Sequence, residues 1–193
     1  VLRDGVLQQF DVPQRLYDEP VNLFVAEFIG SPAMNLVGVD LVGSNGGLEA
    51  RFGEHRLRID ESMIEARPAL PRFEGTRVIL GIRPEDLEHV ATTDGAPEDR
   101  RISALVDIRE DMGSEVFVHF GVAAPPVRGK DVEAAVGSEA VEATAEQARK
   151  LGSLFVARLG RGLQAREGYR IDLVATPDRL HFFDPETGHG IYG

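Results

Sequence analysis

The sequence contains no cysteine and no tryptophan among its 193 residues, and only three tyrosines. Without cysteine there are no disulfides, no thiolate nucleophile and no cysteine-ligated zinc, a composition suited to a reducing compartment. Cations are also scarce. Lys and Arg number 21 against 32 Asp and Glu, for a net charge of −11. Nucleic-acid binding ordinarily needs a basic face that displaces counterions from phosphates, so the acidic total argues against it. No apolar run approaches the roughly 18–20 residues that a membrane-spanning helix needs. Catalytic motifs are equally thin. The Gly129-Lys130 pair is followed by Asp131 and has Ala124 where a phosphate-binding loop requires its first glycine. Neither His-Glu-x-x-His nor a Gly-x-Ser-x-Gly elbow occurs. The histidines His55, His89, His119, His181 and His189 are scattered, with no pair at ligand spacing on one predicted element. No metal or cofactor site is therefore expected. The chain starts Val1-Leu2-Arg3 with no initiator Met and no signal-peptide pattern, which reads as a cut from a longer protein.

What is present is an ordinary globular composition, 42% apolar and 27% charged. The first thirty residues differ from the rest. Asp4-Gly5 between Val1–Arg3 and Val6–Phe10 predicts a hairpin with a type I′ turn, which needs positive φ. Asp11, with Gln14 three residues on and Pro13 in the first turn, predicts a capped helix from Val12 to about Tyr17. Asn22 is placed to cap a second helix that stops at Gly30, before Ser31-Pro32. A hairpin and two short helices cannot bury their apolar faces alone, so residues 1–30 are expected to trail from another domain.

From Pro32 onward the signals are those of strands. Runs at Leu36–Leu41, Leu48–Phe52, His55–Ile59 and Val78–Ile82 are separated by turn residues, Gly53-Glu54 fitting a two-residue hairpin. Ile102, Ala104, Val106 and Ile108 alternate with Ser103, Leu105, Asp107 and Arg109. After the turn at 111–114, Val116, Val118 and Phe120 share one face and Phe117 and His119 the other. Leu154–Leu159, Arg170–Val174 and Leu180–Phe183 complete about nine short strands, which a β-barrel or pair of small barrels would bury. The alanine-rich stretch Asp131–Lys150 breaks this pattern and reads either as a surface helix or as a loose insertion. Gly81-Ile82-Arg83-Pro84-Glu85-Asp86 is a distinctive strand end. Pro84 lacks an N–H and stops the ladder, while Glu85 and Asp86 can cap the next turn or pair with Arg83.

This hexapeptide resembles the signature of the transport-associated OB-type domain at the C-terminus of ATP-binding-cassette importer ATPases, in the sugar-importing branch (maltose, trehalose and glycerol-phosphate type). Pro13–Pro20 is similar to the end of that family's nucleotide-binding domain, and Asn22–Asn35 to the junction that follows it. Gly113-Ser114-Glu115 and Leu180–Asp184 before Thr187-Gly188 match later landmarks. The 131–150 stretch departs from the family's compact pattern.

The resemblance implies a mainly β chain: an OB-type β-barrel over residues 31–193, with residues 1–30 as the remnant of the nucleotide-binding domain. It implies a regulatory and dimerisation role in the ATPase subunit of an ABC sugar importer, with no catalysis by this fragment. ATP and magnesium would belong to the upstream domain. The implied partners are a second copy of the chain, permease subunits, and a regulatory protein or metabolite, at the inner face of the cell membrane. The expected interface residues are Arg83, Glu85, Asp86, Gly113, Ser114, Glu115, Phe182 and Phe183; alternation along the last strand points Phe182 and Phe183 to opposite faces, so that either Phe183 is an exposed anchor or both are core. The competing readings are a barrel that binds an oxyanion or a sugar, and a free-standing enzyme. The shortage of aromatic residues weighs against sugar stacking.

Overall fold

The computed structural model describes residues 1–44, 47–93, 96–127, 152–163 and 165–193. The chain opens with a hairpin of β1 (Leu2–Arg3) and β2 (Val6–Leu7). Asp4 and Gly5 have φ of 49° and 80°, the positive values that a type I′ turn requires. Helices α1 (Pro13–Asp18) and α2 (Leu23–Phe28) follow. Asn22 caps α2 as expected, its side-chain oxygen accepting from the Val25 N–H at 3.0 Å. The start of α1 differs from expectation. Its cap is Val12, held extended by the following Pro13, so the Asp11–Gln14 capping box falls one residue out of phase. Asp11 instead accepts from the Val12 N–H at 2.8 Å, and the Gln14 amide donates forward to Asp18 at 2.7 Å.

Among the described residues, ten strands build the remainder. One antiparallel sheet has the order β12-β6-β3-β4-β5, from β3 (Asn35–Ser44), β4 (Gly47–Phe52), β5 (His55–Ile59), β6 (Arg77–Ile82) and β12 (His181–Phe183). The other has the order β10-β9-β8-β11-β7, from β7 (Leu87–His89), β8 (Arg101–Asp111), β9 (Glu115–Val122), β10 (Ser153–Gly160) and β11 (Arg170–Ala175). Phe52 pairs with His55, leaving Gly53-Glu54 as the expected two-residue turn. Strand β9 shows the predicted alternation along its whole length. Among the described strands and α-helices, two escaped the sequence reading: the three-residue β7, and a short helix α3 (Glu61–Ala66) after β5. In β8 the alternation fails at one place. A bulge between Val106 and Ile108 shifts the register, so Ile108 lies 45% exposed instead of in the core.

The two sheets curl around one apolar core. Val39, Leu41, Leu80 and Ile82 from one meet Val106, Val118, Phe155 and Leu173 from the other, and the rings of Phe120 and Phe155 sit 5.7 Å apart. A second, smaller cluster lies on the outer face of β6 and β12, where Leu23 and Ala26 of α2 cover Ile79 and Phe183. The N-terminal segment is also sewn to the C-terminal tail. Leu23 N–H donates to Gly188 O at 2.9 Å, Gly190 N–H to Val21 O at 2.9 Å, and the Tyr192 hydroxyl to Pro20 O at 3.0 Å. Residues 1–30 thus pack on the barrel, while Leu2, Val6, Leu7, Phe10 and Phe28 remain exposed. The helix or insertion anticipated at 131–150 lies outside the described residues. No helix among the described residues is long and apolar enough to cross a membrane.

Candidate functional site

Strand β6 ends by delivering Arg83 into the junction between the N-terminal segment and the barrel. Pro84 begins a 3-10 turn and ends the ladder. The Arg83 side chain is fully enclosed, with the residue 1% exposed. One terminal nitrogen donates to Ile29 O at 2.7 Å and the other to Tyr17 O at 2.6 Å. Its guanidinium carbon stands 3.6 Å from the centroid of the Tyr17 ring. Tyr17 is in the last turn of α1 and Ile29 caps the C-terminal end of α2, where carbonyls lack intrahelical partners and a cation is favoured. Gly30 makes room for this. It has φ of 123°, and a Cβ there would stand 3.0 Å from an Arg83 nitrogen. Burial lowers the Arg83 pKa to about 10, against the pull of Asp86 and Asp18, so the group stays charged at neutral pH.

Glu85 and Asp86 do not pair with Arg83. The Glu85 carboxylate accepts from the Tyr17 hydroxyl. Asp86 is pushed up to about 6, first by burial and then by the adjacent Glu85. Together these groups wall a cleft of roughly 460 Å³. Its inner wall carries Arg67, Arg83, His181 and Tyr192, and its outer parts Asp18, Glu19, Asp178 and Arg179. His181 is 4% exposed, and burial with nearby Arg83 and Arg67 lowers its pKa to about 3, so it is neutral. Burial also pushes the Tyr192 hydroxyl above its ordinary value.

The expected interface residues separate into three groups. Arg83, Glu85 and Asp86 form the junction just described. Gly113 and Ser114 lie exposed in the β8–β9 turn, and Glu115 follows at the start of β9, 3.7 Å from Arg158. Phe182 and Phe183 are both completely buried, so of the two arrangements open from the sequence the one with both in the core holds, and Phe183 is not an exposed anchor. They do point to opposite faces, but each face is covered: Phe182 by the core between the sheets, Phe183 by α2. Arg83, Phe182 and Phe183 therefore offer no surface to a second chain. The partners of Arg83 in the junction, Tyr17 and Ile29, were not singled out from the sequence, nor were Arg67 and Tyr192. Their sequence separations from Arg83 carry no local signal. Among the described residues no cluster of three or more His, Asp or Glu is arranged to hold a metal ion.

Residues 30–87, which run from Gly30 through the Arg83 corner, match the MalK OB fold domain family. The chain carries a MalK OB fold domain. The trehalose/maltose import ATP-binding protein MalK of Thermococcus litoralis is 34% identical over 193 residues, covering 100% of this chain and 43% of that protein. The trehalose import ATP-binding protein SugC of Mycobacterium tuberculosis is 31% identical over 191 residues, with 97% and 45% covered. The oligosaccharides import ATP-binding protein MsmX of Bacillus subtilis is 28% identical over 187 residues, with 97% and 42% covered. The chain thus spans less than half the length of the curated relatives it matches. A solved structure of the cytoplasmic molybdate-binding protein ModG is a looser match, at 10% identity and a TM-score of 0.45 over 77% of this chain and 94% of that one.

Proposed function

We propose that the chain is the regulatory and dimerisation part of the ATP-binding subunit of an ABC sugar importer. The observation that carries this reading is the match of the whole chain, at 34% identity, to less than half of such a subunit. In this reading the ATP-binding part lies upstream and would cover the open apolar face of the hairpin, where Leu2, Val6 and Leu7 are each about 60% exposed and Phe10 is 90% exposed. ATP, magnesium and the permease subunits belong to that larger assembly, at the inner face of the membrane. The transported compound is a sugar or a related small polar solute, the range that the relatives' names cover.

Two copies of the barrel keep the ATP-binding parts near each other when nucleotide no longer bridges them, an effect of local concentration. With Phe183 buried, the surface that fits this role is the exposed apolar stretch of β8 and its turn. Leu105, Ile108 and Met112 are 51%, 45% and 61% exposed there, beside Gly113 and Ser114. A two-fold contact would use this patch from both chains. Sedimentation equilibrium should show a monomer–dimer equilibrium that Ile108→Glu weakens about tenfold or more. A strict monomer at high concentration would overturn the dimerisation role. A titration with ATP and magnesium should give no saturable signal, and saturable binding would contradict the division of labour. The oxyanion- or sugar-binding alternative draws its support from the cleft at the junction.

A further inference from the structure

Arg67 is a buried cation with no direct ion pair among the described residues, although Glu19 and Asp178 across the cleft favour its charge. It caps α3 ahead of Pro68 and is 8% exposed. Its guanidinium carbon lies 5.8 Å from the centroid of the Tyr192 ring, its Nε has no hydrogen-bond partner, and no carboxylate among the described residues forms an ion pair with it. A guanidinium carries five N–H donors and no acceptor, and burying it unpaired is among the least favourable arrangements in a folded chain. Two more polar atoms in the same cleft lack partners, Nε of Arg83 and Nδ1 of His181. The inner wall is therefore short of acceptors at one place. We propose that this wall, centred on Arg67, binds one small anionic group, a carboxylate or a single phosphate, carried by a molecule no larger than the cleft.

The carboxylates that share the cleft define the ligand further. Asp18 is 3.5 Å from Arg179, Glu19 is 3.6 Å from Arg15, and Glu85 accepts from Tyr17, so these three are already engaged. Asp86 and the exposed Asp178 complete the acidic outer part. An acidic entrance repels polyanions such as nucleoside triphosphates but admits a molecule with one charge at its tip and hydroxyls behind it. A volume of roughly 460 Å³ falls within the size range of small-molecule sites. A bidentate contact from the planar Arg67 fork to the anion would supply the orientation.

The site is tested on the chain itself by NMR, following the Arg67 Nε–H resonance while inorganic phosphate, acetate and glucose are titrated separately at constant ionic strength. Saturable movement of that resonance with phosphate or acetate, and none with glucose, is the expected result, and the better of the two anions identifies the headgroup. Followed in both proteins through the ring resonances of Tyr192 in the same cleft, Arg67→Gln should weaken the same anion about tenfold or more, as loss of a charge-assisted fork implies. Arg77→Gln, at the far end of β6 and paired with Asp40 outside the cleft, should leave it within about twofold. No saturable movement with either anion, or an equal response to glucose, would overturn the proposal. So would undiminished binding by a folded Arg67→Gln. If that variant does not fold, the wild-type resonance decides alone.

Discussion

Arg83 joins three pieces of chain with one planar group: the end of β6, the last turn of α1 and the cap of α2. Lysine keeps the charge but not the fork, and cannot donate to two separated carbonyls while stacking on Tyr17. Arg83→Lys should lower unfolding stability by about 2 kcal/mol in urea titrations, the scale of one charge-assisted bond lost in a buried site. Beside it, Asp86 and His181 give opposite pH dependences. The folded-state pKa of Asp86 is raised from 3.8 to about 6, so its charged form opposes folding above pH 6, and the opposition fades as pH falls from 6 towards 3.8. The pKa of His181 is lowered from 6.5 to about 3, so the stability of the neutral buried ring is complete above 6.5 and drains away as pH falls towards 3. Asp86→Asn should therefore stabilise at pH 7 by on the order of 1 kcal/mol, allowing for its half-open position, and by less as pH drops through 6. Its acid limb should be steeper than that of the wild type, because only the His181 trend remains. Urea midpoints from about pH 8 to about pH 4 check this.

At the scale of elements, α2 closes the outer face of the β6–β12 pair. Phe183→Ala would leave a void between Leu23, Ala26 and Ile79 and should cost about 3 kcal/mol. It should also loosen α2 selectively, so that hydrogen exchange at the Ala26 amide, which donates to Asn22 O at 3.1 Å, accelerates more than exchange in β9. The periodicities that predicted β9 and the hairpin are local, and local rules hold there. They fail where a neighbour intervenes. The β8 alternation breaks at a bulge set by its partner β9, and the α1 box is displaced by Pro13. Whether Phe183 was exposed stayed open in the sequence because a strand of three residues reveals that its two faces differ, but not what covers them.

At the scale of the whole molecule, the barrel was legible because ten short strands and their turns leave few other ways to bury alternating apolar faces. The junction cleft was legible only in part. Arg83 and its acidic neighbours stood out in the sequence, but Tyr17, Arg67, His181 and Tyr192 converge on them by tertiary folding from positions far apart along the chain. Both helices are tied to the end of β6 through two carbonyls on one guanidinium, and their connecting segment to the C-terminal tail through a tyrosine hydroxyl on Pro20 and backbone pairs at Leu23 and Gly190. The N-terminal segment is thus a fastened handle, and a push on its open apolar face would reach the barrel first through Arg83 and the tail.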